Sequence, residues 1–238
     1  MAFTDRTAAL LGDAAIERLS KAHVCVVGIG GVGSFAAEAL CRAGVGRLTL
    51  VDSDRVEESN LNRQLIALRS TLGTYKTDAA AARFTDINPA VQLHLHPISY
   101  TAETRDVILS PIPDFILDCI DSVTHKLDLI RTAHARNIPI LSAMGTGNKT
   151  DPSALYISTL DKTSGCPLAR VMRRELRGTG CERTPVVASR ELPHAARAAE
   201  SDGGRLPPAS CAWVPSVAGL MMAGACIDAL IGAQGDKK

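Results

Sequence analysis

His23-Val24-Cys25-Val26-Val27-Gly28-Ile29-Gly30-Gly31-Val32-Gly33 is an apolar, β-branched run that breaks into a glycine-rich turn. Residues 23–28 read as a buried strand, and residues 31–43 have the composition of a helix. Gly28, Gly30, Gly31 and Gly33 satisfy G-x-G-x-x-G at the junction between the two. Glycines there permit a tight turn and close backbone approach, while the helix N-terminus presents unpaired N–H groups and a positive dipole end to a phosphate. Such a turn can also serve helix packing alone; its place between strand and helix favours a nucleotide.

Working outward, residues 47–52 read as a second strand, reached through Gly44 and Gly46 at the helix exit, which completes one βαβ unit. Asp52 closes that strand 19 residues beyond Gly33, where a carboxylate can accept hydrogen bonds from ribose hydroxyls. Its ordinary alternative is a strand-ending acid in the Asp52-Ser53-Asp54 turn. At this point NAD, FAD and ATP all remain open.

The alternation continues downstream. Helices are expected over 74–87, 101–109 and 122–136, and strands over 91–98, 115–118 and 138–143. Residues 4–19 read as one amphipathic helical lead-in. Strands and helices alternating at this length predict an α/β fold, a Rossmann-like doubly wound and mostly parallel sheet with helices on both faces. Beyond Lys149 the C-terminal half is elaborated: strands over 154–159 and 185–189 flank a basic helix at 166–177, and 191–208 has the composition of a mobile surface loop. The 238 residues are read as a single domain, with a nucleotide-binding half at 1–150 and a substrate-facing half at 151–238.

Composition narrows the function. Twenty-six basic against 25 acidic residues leave a formal charge of +1, so the chain is no general polycation, no DNA partner is expected, and any RNA must meet a local patch. The seven cysteines are odd in number and follow no framework spacing, which fits reduced thiols and a cytoplasmic location. The N-terminus lacks the pattern of a secretory signal. The most apolar stretch, 214–231, is interrupted by Pro215 and Asp228 and reads as a buried helix rather than a membrane span.

Three further motifs follow the glycine turn: Ser59-Asn60-Leu61-Asn62-Arg63-Gln64, Gly73-Thr74-Tyr75-Lys76 and Asp118-Cys119-Ile120-Asp121. Cleaving the bond between α- and β-phosphates needs cations around the departing pyrophosphate, and Arg63 and Lys76 are suited to supply them. Singly, each could be a solvated surface charge, and Asp121 could N-cap the next helix. Together, in order and spacing, the four motifs resemble those of the ThiF/MoeB/HesA group, relatives of ubiquitin-activating enzymes. The resemblance covers at least residues 3–150. It implies that the nucleotide is ATP, that Asn60 and Arg63 contact its triphosphate, that Lys76 contacts the α- and β-phosphates, and that Asp121 holds Mg²⁺. Asp54 and Ser122 join Gly28, Gly30, Gly31, Gly33 and Asp52 in the nucleotide-binding set. Arg6 stands where the group carries an arginine that reaches the partner's active site in dimeric members, which implies a homodimer.

Members of the group that charge sulfur-carrier proteins usually carry two CxxC pairs on a structural zinc; this chain has no CxxC, so no structural zinc by that route is expected. Gly145-Thr146-Gly147-Asn148-Lys149 with Asp151-Pro152, and the stretch from Lys162 through Cys166-Pro167-Leu168-Ala169-Arg170 to Arg177, resemble instead the tRNA threonylcarbamoyladenosine dehydratases. That resemblance implies ATP-dependent adenylation of the threonyl carboxylate of threonylcarbamoyladenosine at tRNA position 37, closure of a ring by a carbamoyl nitrogen, and release of AMP and pyrophosphate. Lys162, Arg170, Arg173, Arg174 and Arg177 would then face tRNA phosphates. A sulfurtransferase-type protein is a further partner in this reading. No cysteine is assigned a catalytic role, Cys166, Cys181 and Cys211 included, because the second nucleophile belongs to the substrate. The competing readings are adenylation of the C-terminal glycine of a ubiquitin-like sulfur carrier, and a silent scaffold of the same fold.

Overall fold

The computed structural model describes residues 2–194 and 208–232. Among the described residues one sheet of seven strands runs β3-β2-β1-β4-β5-β7-β6. In chain order these are β1 (His23–Val27), β2 (Arg47–Val51), β3 (Gln92–His96), β4 (Phe115–Asp118), β5 (Ile140–Ala143), β6 (Leu155–Thr159) and β7 (Pro185–Ser189). Every pairing is parallel except β6 with β7, which is antiparallel. The expected doubly wound sheet with an elaborated C-terminal half is therefore present.

Alternation along β1 assigns its two faces. Val24 and Val26 pack into one core cluster with Leu40, Leu48, Phe84 and Met222, while Cys25 and Val27 enter a second with Ile116, Leu129, Ile130 and Met172. Side chains at i and i+2 share a face, so a strand buried on both sides feeds two layers. The first layer is covered by α3 (Gly33–Arg42), α4 (Lys76–Ile87) and α8 (Trp213–Ile231), the second by α5 (Arg105–Ile108), α6 (Val123–Ala135) and α7 (Pro167–Glu175).

Several boundaries differ from the sequence-based expectation. The single lead-in helix is two, α1 (Asp5–Leu11) and α2 (Asp13–Lys21), because Gly12 sits at φ 86° and ψ 154°, outside helical space, and its N–H closes α1 on the Ala8 carbonyl at 2.7 Å. The helix expected over 101–109 shrinks to α5. The Thr104 hydroxyl accepts from the Thr101 N–H at 2.9 Å and donates to the Ser99 carbonyl at 2.8 Å, holding those residues in a turn that competes with helix. Strand β5 starts at Ile140 because Pro139 has no N–H for the ladder. The loop expected over 191–208 falls, for residues 195–207, outside the described residues.

Helix α8 is long and apolar enough to cross a membrane, at 19 residues and mean hydropathy 1.8, yet it lies along α3. A Cβ on Gly219 would come within 2.3 Å of the Val32 carbonyl oxygen, so only glycine permits this approach. Its outward face keeps Trp213 and Leu220 about half exposed, so the buried helix read from sequence is buried on one side only.

At the ends of β4 and β5 lies an ion pair with no exposure on either side chain. Lys126 Nζ donates to Asp118 Oδ2 at 2.8 Å and to Ser142 Oγ at 3.2 Å, Ser142 Oγ donates to the same carboxylate oxygen at 2.6 Å, and the Ile120 N–H reaches Asp118 Oδ1 at 3.2 Å. Removing one partner of such a pair strands the other charge. Lys126→Ala is expected to cost about 3–5 kcal/mol of folding stability, read as a lower urea midpoint at unchanged slope.

Candidate functional site

Strands β2 and β4 flank β1 on opposite sides, so the chain reverses its order there and leaves a crevice at the carboxyl ends of the strands. A cleft of about 500 Å³ occupies that crevice. Its floor is the glycine turn. Gly28 has φ 92°, and a Cβ on Gly33 would fall 1.8 Å from the Gly28 carbonyl oxygen, so both positions require glycine. Helix α3 starts at Gly33, so the positive end of its dipole lies directly behind Gly30, Gly31 and Val32, which line the cleft.

Asp52 is tied to the turn: its Oδ2 accepts the Ile29 N–H at 2.7 Å and its Oδ1 the Asp54 N–H at 2.9 Å. Burial pushes its carboxyl up from the ordinary aspartate range, opposed by the Lys76 charge and these two N–H groups. Lys76 is only 5% exposed, which rules out a solvated surface charge. Its Nζ donates to Asp54 Oδ2 at 2.6 Å and stands 3.7 Å from Asp52 Oδ1. Asp54 thus enters the site as the partner of the lysine.

The Ser59–Gln64 motif is folded by Asn60, whose side-chain oxygen accepts the Glu57 N–H at 3.1 Å. Ser34 pins this loop to α3, donating to the Gly30 carbonyl at 2.7 Å and accepting the Leu65 N–H at 3.2 Å. Arg63 borders the cleft beside Gly31 and donates to the Ser59 carbonyl at 2.8 Å and to Asn62 Oδ1 at 2.9 Å. Opposite stand Asp121 and Ser122 at the start of α6. The residue capping α6 is Ser122, so Asp121 is not spent on the helix end, and its exposed carboxylate accepts no hydrogen bond among the described residues. The cleft therefore gathers Gly28, Gly30, Gly31, Asp52, Asp54, Asn60, Arg63, Lys76, Asp121 and Ser122, while Gly33 lies behind it as the first residue of α3, against the Gly28 carbonyl.

Two groups lie elsewhere. Arg6 is exposed on α1 and does not line the cleft of its own chain. On α7 and its approach, Lys162, Arg170, Arg174 and Arg177 are exposed, but Arg173 is half-buried and bonded to the Thr163 hydroxyl, which makes it an anchor for the start of the helix. Arg174 pairs with Glu175 at 2.7 Å.

Sequence reasoning missed several lining residues. Gln64 ends the motif yet was assigned nothing; it is 7% exposed, and its carbonyl oxygen has no partner among the described residues. Ile98 and Tyr100 follow β3, His125 sits on the first turn of α6, and Thr146 and Ser210 form the far wall with Pro215, which packs over Gly31. Thr146 lies in the Gly145–Lys149 stretch that carried the resemblance but was given no role of its own, and the other five belong to no spaced motif, so no pattern in the chain pointed to them.

Residues 4–238 match the ThiF family. The chain belongs to the ThiF family. Among curated members, the tRNA threonylcarbamoyladenosine dehydratase of Bacillus subtilis is 42% identical over 225 residues, spanning 90% of this chain and 89% of that protein. The Escherichia coli enzyme of the same name is 40% identical over 171 residues, 72% of this chain and 64% of its own length. The crystal structure of the E. coli dehydratase with AMP superposes with a TM-score of 0.87 at 32% identity, covering 96% of this chain and 94% of that one. Its ATP complex gives the same TM-score at 30% identity, covering 99% and 96%. E. coli MccB with ATP, at 18% identity and a TM-score of 0.67 over 98% of this chain and 64% of its own, shares the fold.

The glycine turn supplies a direct test of this geometry. Gly33→Ala is expected to cost about 3 kcal/mol, the upper end for overpacking, because a Cβ meets the Gly28 carbonyl rather than a movable side chain; thermal unfolding measures it.

Proposed function

We propose that this ThiF-family member is an ATP-dependent dehydratase that adenylates the threonyl carboxylate of threonylcarbamoyladenosine in tRNA and then closes it into a ring. The observation that carries the reading is the gathering of Arg63, Lys76 and Asp121 around one glycine turn. A nucleotide whose pyrophosphate stays intact needs few cations; one whose α–β bond breaks needs charge at the leaving group. The dehydratase names of its full-length relatives support the same substrate class.

In this reading Asp52 receives the ribose hydroxyls, and the base lies beyond β2 against Ile98 and Tyr100. The α3 N-terminus, Asn60, Arg63 and Lys76 hold the polyphosphate. Asp121 fits Mg²⁺: its carboxylate is free, and magnesium is commonly held by one or two carboxylates plus phosphate oxygens. When bound, the ion would neutralise phosphate charge. The substrate carboxylate attacks the α-phosphorus and pyrophosphate leaves into the reach of Arg63 and Lys76. A carbamoyl nitrogen then attacks the activated carbonyl carbon, loses its proton and expels AMP, so no cysteine is consumed.

The exposed cations Lys162, Arg170, Arg174 and Arg177 form the proposed tRNA face. We assign the whole chain to one cytoplasmic domain acting as a homodimer, with Arg6, which does not line its own cleft, delivered to the partner's.

Incubation with ATP and either tRNA bearing threonylcarbamoyladenosine or a ubiquitin-like sulfur-carrier protein separates the readings. AMP release is expected with the tRNA, accompanied by the cyclic nucleoside in its digest; release with the carrier alone overturns the assignment, and release with neither favours a silent scaffold. Asp121→Ala is expected to lower turnover at least about a hundredfold without moving the thermal midpoint, since the side chain is exposed. Arg6→Ala and Lys76→Met are each expected to be inactive, and mixing them after subunit exchange to restore activity, because one cleft of the mixed dimer is complete. No recovery in a mixture shown to contain mixed dimers removes Arg6 from the partner's site.

A further inference from the structure

Between Asn60 and Arg63, which the adenylation chemistry uses, stands Asn62, which does not line the cleft. Its side-chain amide nevertheless bridges two residues that do. Asn62 Oδ1 accepts from Arg63 Nη1 at 2.9 Å, and Asn62 Nδ2 donates to the Ser210 carbonyl at 3.1 Å. Only this orientation of the amide serves both: turned over, it would set N–H groups against the guanidinium and an oxygen against the carbonyl. Ser210 is held from behind. Asn148, at φ 58°, donates its N–H to the Ala209 carbonyl at 2.7 Å and accepts the Ala209 N–H on Oδ1 at 2.8 Å. A Cβ on Gly147 would lie 2.7 Å from Pro208 Cβ, so these two stretches are pressed together. Ser210 therefore offers Asn62 a fixed acceptor, and the amide is aimed from the far wall.

Arg63 Nη1 also donates to the Ser59 carbonyl at 2.8 Å, so both of its N–H groups are spent within the protein. The edge formed by Nε and Nη2 is left over, and such a planar edge matches two oxygens of a phosphate. Within the adenylation reading, on which this rests, we propose that Asn62 is the positioning residue of Arg63: it holds Nη1 so that the free edge faces the β- and γ-phosphates of bound ATP. Without Asn62 Oδ1, Nη1 keeps one tether, the guanidinium moves among more rotamers, and ATP must freeze them on binding. AMP carries no pyrophosphate for that edge to meet. Loss of the Asn62 amide therefore weakens the triphosphate and spares the monophosphate, a selectivity that a residue serving only the fold of the loop would not show.

The test measures, by titration calorimetry on the full chain with Mg²⁺, the binding of AMP and of α,β-methylene-ATP, which cannot be cleaved at the α–β link. Asn62→Ala is expected to raise the Kd for the triphosphate about tenfold, the loss of one hydrogen bond to a charged group, and to leave the Kd for AMP unchanged. In an Arg63→Ala background the same substitution is expected to change the triphosphate Kd by less than about twofold, because its effect passes through the arginine. Equal losses for AMP and the triphosphate would make Asn62 a holder of the fold and overturn the proposal. So would wild-type binding by Asn62→Ala, or a loss that adds in full to that of Arg63→Ala. A failure of the underlying reading looks different: Arg63→Ala alone would then bind the triphosphate as the wild type does, which removes Arg63 from the polyphosphate and Asn62 with it.

Discussion

The buried contact between Asp118 and Lys126 fixes the relation between sheet and site. Two charges removed from water are tolerable when their remaining hydrogen-bonding capacity is filled, and here Ser142 of β5 and the Ile120 N–H fill it. One lysine on α6 thus binds β4 and β5 at their carboxyl ends. The same carboxylate holds the backbone that leads, three residues on, to Asp121. The acid at the mouth of the cleft is placed by an acid that never meets solvent.

A second arrangement of charges prepares the opposite side. Lys76 is held by Asp54 and faces Asp52, while Asp52 is fastened by the Ile29 N–H of the glycine turn. Cation, ribose acceptor and phosphate turn are thereby set in one frame before any ligand arrives. Preorganisation of this kind is what makes electrostatic stabilisation effective, since no reorientation is needed as charge develops. Arg63 differs: its Nη1 is bonded to Ser59 and Asn62 of its own loop, while Nε and Nη2 remain to meet a ligand.

Much of this was legible in the chain. The glycine turn, the carboxylate 19 residues beyond it and the two polar motifs obey local spacing rules, and β4 and β7 begin and end where hydrophobic pattern places them. What escaped depends on distant partners. The break at Gly12 needs a conformation that helical periodicity does not reveal. The burial of Lys126 and Lys76 is invisible without the strands that surround them, because lysine in isolation reads as surface. Arg173 looked like one of five equivalent cations until the Thr163 hydroxyl singled it out. Thr146 and Ser210 reach the cleft from opposite sides of a long stretch of chain, and only the fold brings them together.

The near-contact of Gly219 with the Val32 carbonyl has a mechanical meaning for the cleft. Pro215, one helical turn earlier on α8, roofs Gly31, so roof and phosphate floor belong to one welded jaw with no slack between backbone and backbone. Whatever enters the crevice therefore meets the proline roof and the glycine floor as one continuous surface, with Thr146 and Ser210 beside it.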